Sequence, residues 1–108
     1  MNIDEIKSKI EALPDITTRP MFGYQCYSVN GKFFTGFGKK DKTKMIIRLS
    51  KELQSEALQD KRLKVKPFSH GAKMGWVEID TKSVSKIQDA FYWVKQGYNH
   101  ALTMSKAD

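Results

Sequence analysis

Gly36-Phe37-Gly38-Lys39 is the stretch of this chain closest in residue type to a phosphate-cradling loop. Closely spaced glycines free backbone N–H groups to point at an anion, and a lysine adds charge. A P-loop, however, joins a strand to a helix and follows its lysine with Ser or Thr. Here Lys39 leads through Lys40-Asp41-Lys42-Thr43-Lys44 into Met45-Ile46-Ile47-Arg48-Leu49, which has the composition of another strand. Context excludes the phosphate loop, and Gly36 and Gly38 are expected to ease a bend or bulge at a strand end. His70 follows Ser69, the residue types of a base and a nucleophile, but no third group orients them, so His70 reads as a loop residue. His70 and His100 are the only histidines and neither has carboxylates or thiols at metal-ligand spacing. Cys26 is the only cysteine, which excludes an intrachain disulfide and a CxxC motif; mid-strand, it reads as a small buried hydrophobe. The sequence assigns no catalytic, metal-binding or cofactor-binding residue, and the chain reads as non-enzymatic.

Charge offers a different chemistry. Lys39, Lys40, Lys42 and Lys44 crowd one connection, and Lys61, Arg62, Lys64 and Lys66 crowd a second. Between Lys32 and Lys73 twelve basic residues face four acidic ones, so the middle of the chain accounts for the whole of the formal +7. Such a balance favours an anionic partner, nucleic acid or an acidic protein, provided the two connections converge in space. The same lysines also serve solubility and discourage pairing at strand ends. Among the aromatics, Trp76 and Phe91 fit core positions. Tyr92 and Trp93 fall beside the apolar stripe of their helix and are expected to mark a second contact surface, such as a homodimer interface.

The elements that position these residues follow from periodicity. Ile3, Ile6, Ile10 and Leu13 recur at helical spacing, Asn2 and Glu5 have the form of a capping box, and Pro14 stops the pattern. After a turn through Pro14 to Pro20, aromatic and β-branched residues begin at Met21. Asn30-Gly31 favours a type I′ turn, so Tyr24 to Val29 pairs with Lys32 to Gly38. A two-residue turn sets Ser28 opposite Phe33, Cys26 opposite Thr35 and Tyr24 opposite Phe37, all on one face, with Tyr27, Val29 and Phe34 on the other. Met45 to Leu49 is a further strand, and Ser50 caps a short helix over Lys51 to Gln59. Two more strands, Leu63 to Phe68 and Gly75 to Asp80, flank a polar loop. Val84, Ile87, Phe91, Val94 and Tyr98 form the stripe of a long closing helix from about Ser83 to Met104. The expectation is one α+β domain over residues 1–108, with an antiparallel sheet of five to six strands, an N-terminal helix, a short middle helix and a long C-terminal helix. The acidic N-terminus has no signal-peptide pattern and no apolar run approaches membrane-spanning length, so a cytoplasmic, membrane-free protein is expected.

Several of these segments together carry a family likeness. Arg19, Met21, Phe22 and Gly23, the Asn30-Gly31-Lys32 hairpin, the strand around Arg48, the run from Lys66, Pro67 and Phe68 to Met74, Gly75 and Trp76, and the closing helix through Trp93 and Tyr98 resemble the TfoX N-terminal domain family over nearly the whole chain. Tyr24 stands where members often have a second glycine, and the chain ends before any C-terminal helical domain of a full-length regulator. The resemblance implies an α+β fold distantly like the MmcQ/YjbR group and a link by name to transcription regulation in competence. It carries over no catalytic residue or cofactor. A non-catalytic binding or regulatory module is the function expected, with a homodimeric protein-interaction domain and a small enzyme as the alternatives.

Overall fold

The computed structural model describes residues 1–104. Helix α1, Ile3–Glu11, opens with the Asn2 side chain accepting from the Glu5 N–H at 3.1 Å, and its apolar positions bury Ile6 and Ile10. Strands β1 (Ile16–Met21), β2 (Tyr24–Val29), β3 (Lys32–Gly38) and β4 (Lys44–Arg48) follow. Helix α2, Lys51–Ala57, is capped by Ser50, whose hydroxyl accepts from the Leu53 N–H. Short β5 (Lys66–Pro67), β6 (Trp76–Asp80) and helix α3 (Ile87–Thr103) complete the chain. The six strands form one antiparallel sheet in the order β1-β2-β3-β4-β6-β5.

Four expectations need correction. The strand read over Leu63 to Phe68 pairs only at Lys66 and Pro67. The segment read as a turn contains β1, an edge strand; its Thr-rich, exposed face gives little alternation, and Pro20 is tolerated because an edge strand has an unpaired side. The β2–β3 register matches the expectation at Ser28 and Phe33, then shifts between Tyr27 and Ser28, leaving Phe34 without a partner. Beyond this β-bulge Tyr27 faces Thr35, Cys26 faces Gly36 and Gln25 faces Phe37, so Thr35 and Phe37 join Tyr27 on the opposite face from the one expected. Helix α3 begins at Ile87 and not near Ser83, because Thr81–Ser83 forms a single 3-10 turn first.

The sheet has two unlike faces. On one, Tyr27, Phe37, Met45, Ile47, Val77 and Ile79 pack in a single core with Ile6 and Ile10 of α1 and Val94 and Tyr98 of α3. Each such large apolar side chain contributes roughly 1.5–3 kcal/mol when fully buried. Polar tips are satisfied: the Tyr27 hydroxyl donates to Glu11 at 2.9 Å and the Tyr98 hydroxyl to the Pro14 carbonyl at 2.9 Å. On the other face a smaller cluster of Cys26, Ile46, Phe68 and Trp76, with Met21, Tyr24 and Phe33 against it, includes no residue of α1, α2 or α3.

Candidate anion-binding surfaces

The β3–β4 connection explains its own glycine. A Cβ on Gly38 would lie 2.3 Å from the Asp41 carbonyl oxygen, so only glycine lets the turn close, and Gly36 likewise has the Cys26 sulfur where a Cβ would sit. These are close-approach glycines; the bulge expected there falls instead at Phe34. Within the turn the Asp41 carboxylate accepts from the Thr43 hydroxyl and, at 3.0 Å, from the Thr43 N–H. Those bonds, helped by Lys82 and Lys44, hold the Asp41 carboxyl below its ordinary value. Lys39, Lys40, Lys42 and Lys44 are all exposed around it. Lys39, Lys40 and Lys44 line a shallow cleft with the Tyr24 ring and Asp41.

In the connection from α2 to β5, Lys61, Arg62 and Lys64 are exposed, as is Lys66 at the start of β5. Arg62 is not a loose cation: it lies 3.3 Å from Asp60 and 3.4 Å from Asp89 of α3. Burial alone would raise the Asp60 carboxyl, but hydrogen bonds from Arg62 and Trp93 and the Arg62 charge hold it below the usual range.

Register brings the two connections together. Lys44 faces Asp80 across β4–β6 and Lys66 faces Glu78 across β5–β6, so both lysines stand on one sheet face at the same end of the sheet. The Thr43 carbonyl accepts from both the N–H and the hydroxyl of Thr81, each at 2.8 Å, tying the β3–β4 connection to the end of β6. Glu78 and Asp80 lie between the lysines and reduce the local positive potential. Lys39, Lys40, Lys42, Lys61 and Lys64, in the same two connections, are exposed.

A second cleft, of about 360 Å³, opens on the face opposite α1 and α3, beside a single 3-10 turn at Ala72–Met74. Phe22, Phe33, Met74 and Trp76 supply its apolar wall, and Lys32, Arg48 and His70 its polar groups, with no carboxylate in the lining among the described residues. Arg48 is half-buried on β4; its Nε donates to the Met74 carbonyl at 3.1 Å, and burial pulls its guanidinium below the ordinary value. Arg19 lies 5.3 Å from the Phe33 ring centre. Sequence reasoning did not single out this cleft. Its one local signal is Phe22-Gly23, a second hairpin dipeptide of the Asn-Gly kind in which both residues have positive φ.

The remaining candidates sit where packing explains them. Cys26 is fully buried and its thiol is pushed up to about 11 by burial. His70 is exposed, its ring edge-on to Phe68 with centres 5.5 Å apart. His100 is lowered by burial, then by the Arg48 charge. Among the described residues no three His, Cys, Asp or Glu side chains gather as a metal site would require. Trp76 is 7 % exposed and buried as expected. Trp93 is 6 % exposed and belongs to the core, leaving Tyr92 alone on the outer surface, so the two do not form the paired contact surface expected of them.

A six-stranded antiparallel sheet with α1 and α3 packed on one face defines a small α+β domain class. The model of the TfoX N-terminal domain matches residues 8–101, and the chain belongs to that family. Among solved structures, a Deinococcus radiodurans protein with a DUF419 domain superposes with a TM-score of 0.79 at 15% identity, covering 98% of this chain and 83% of that one. A Pseudomonas syringae protein superposes with a TM-score of 0.69 at 12% identity, covering 94% of this chain and 99% of that one. At these identities the likeness is one of fold alone. No functionally curated protein matches the chain. No helix among the described residues is long and apolar enough to cross a membrane.

Proposed function

We propose that this domain is a cytoplasmic, non-catalytic binding or regulatory module that engages an anionic partner, nucleic acid first, through the lysines at one end of its sheet. The observation that carries this reading is the meeting of two separate basic connections at that end, through the Thr43–Thr81 contact and the Lys44 and Lys66 registers. Exposed lysines on short, anchored connections suit phosphates, which need charge and not a shaped pocket. Asp60 and Asp89 hold Arg62, so it positions the connection more than it binds.

The experiment is titration of labelled single- and double-stranded DNA and RNA at low and moderate salt. It compares wild type with a Lys39→Gln/Lys40→Gln variant and a Lys61→Gln/Lys64→Gln variant. Arg62 stays in place, because its removal would strand the Asp60 carboxylate. Wild type is expected to bind at low salt, and each variant to bind more weakly with a shallower salt dependence, by roughly 0.7–0.9 in log–log slope for each phosphate that is no longer neutralised. No binding by wild type at low salt would overturn the reading in favour of a protein-interaction domain.

A further inference from the structure

Phe22 is held in a conformation that its own side chain disfavours. It occupies the first central position of the β1–β2 turn with φ +53°, where Asn, Asp or Gly would sit more easily. Core packing does not explain the choice, because the residue is 75 % exposed. A large ring kept at a left-handed position and in solvent is a reason to look for what it meets.

It stands on the rim of the cleft already described, together with Phe33, and Lys32 and Arg48 share the same lining. Arg48 meets the neutral Met74 carbonyl, and among the described residues it forms no ion pair with a carboxylate. Flat apolar surface beside the Arg48 guanidinium complements a planar ring that carries negative charge. Beneath the surface, through the buried Phe68, a series of ring contacts links this cleft to the lysine end. His70 in the cleft lies 5.5 Å from Phe68, and Phe68 lies 5.4 Å from Tyr24, which lines the Lys39–Lys40 cleft.

We infer that the cleft takes an unpaired nucleobase against Phe22 and Phe33 with a neighbouring phosphate at Arg48, so that the partner is single-stranded nucleic acid crossing the sheet face opposite α1 and α3. The inference rests on the proposed function and narrows it. Duplexes offer phosphates to the lysines but keep their base faces stacked inside, so they gain nothing from Phe22. Base–aromatic stacking tolerates any base, so the expected preference is for strandedness and not for sequence.

The test measures anisotropy of labelled 12-nucleotide oligo(dT) and oligo(rU), and of a hairpin duplex, with wild type, Phe22→Asn, Phe22→Trp and Arg48→Gln. Asn suits the left-handed turn, so Phe22→Asn keeps the fold, and a thermal melt confirms it. Single strands should bind wild type more tightly than duplex. Phe22→Asn should lose about 5- to 100-fold in single-strand affinity at unchanged salt slope, while Phe22→Trp retains it. Arg48→Gln should lower the slope by roughly 0.7. If single strand and duplex bind alike and Phe22→Asn changes neither, the cleft inference fails while the lysine reading stands. If neither nucleic acid binds at low salt, both fail. Displacement of oligo(dT) by polyglutamate at equal charge concentration would point to an acidic protein and overturn the inference.

Discussion

The Trp93 indole N–H donates to the Asp60 carboxylate at 3.1 Å, joining the connection after α2 to the middle of α3. The same carboxylate holds Arg62, whose other contact is Asp89 in the first turn of α3. One acidic side chain, 8 % exposed, thus anchors the basic connection on the helix that closes the core.

Replacing this anchor should be felt in stability and in its pH dependence. Asp60→Asn is expected to destabilise by about 1–3 kcal/mol at neutral pH, the range for a partly buried hydrogen bond to a charged group. Because the Asp60 carboxyl is lower in the folded than in the unfolded chain, its contribution is full above about pH 4 and is lost as pH falls through the folded value. Urea midpoints between neutrality and pH 2 should fall less steeply for the variant than for wild type; parallel curves would contradict the role given to Asp60.

The two hairpin turns make opposite demands. Gly31 has φ +76° with nothing within 4 Å of a Cβ, so strain and not crowding opposes substitution. Gly31→Val should cost about 1 kcal/mol or more, since a β-branched residue resists positive φ. A denaturation midpoint equal to that of wild type would remove the type I′ assignment.

Phe22→Asn should go the other way and leave stability unchanged or raise it by up to about 1 kcal/mol, because Asn accepts φ near +53° and an exposed ring contributes little packing. Calorimetry decides this: a substantially lower melting temperature would mean that the ring is structural after all.

Cys26 should react with a thiol reagent slowly in the folded protein and rapidly once it is unfolded. Full burial blocks access, and a thiol pushed up to about 11 has little thiolate at neutral pH. Equal labelling rates with and without denaturant would show an accessible thiol.

Local chemistry wrote much of the fold plainly. The Asn2 and Ser50 caps, the Asn30-Gly31 turn and the apolar positions Ile6, Ile10, Val94 and Tyr98 are each specified by residues a few positions apart, and each is found where periodicity puts it. Also legible were the eight basic residues as two clusters. Their meeting was not, because it depends on β6 pairing with both β4 and β5, long-range contacts that no local pattern encodes. The Phe34 bulge was hidden for a related reason: period-two alternation assumes an unbroken ladder, and a single extra residue moves Thr35 and Phe37 to the other face. Trp93 looked marginal on the helix stripe until Asp60 supplied a partner for its N–H. Phe22 carried only a hint in its following glycine, since whether an aromatic at a turn is buried or displayed depends on which face of the sheet the helices cover. Sequence determined most helices and strands through local propensity and capping, while edge strand β1 formed only through its pairing with β2. Tertiary structure alone decided which charges converge and which rings reach solvent, because both depend on contacts between segments far apart in the chain.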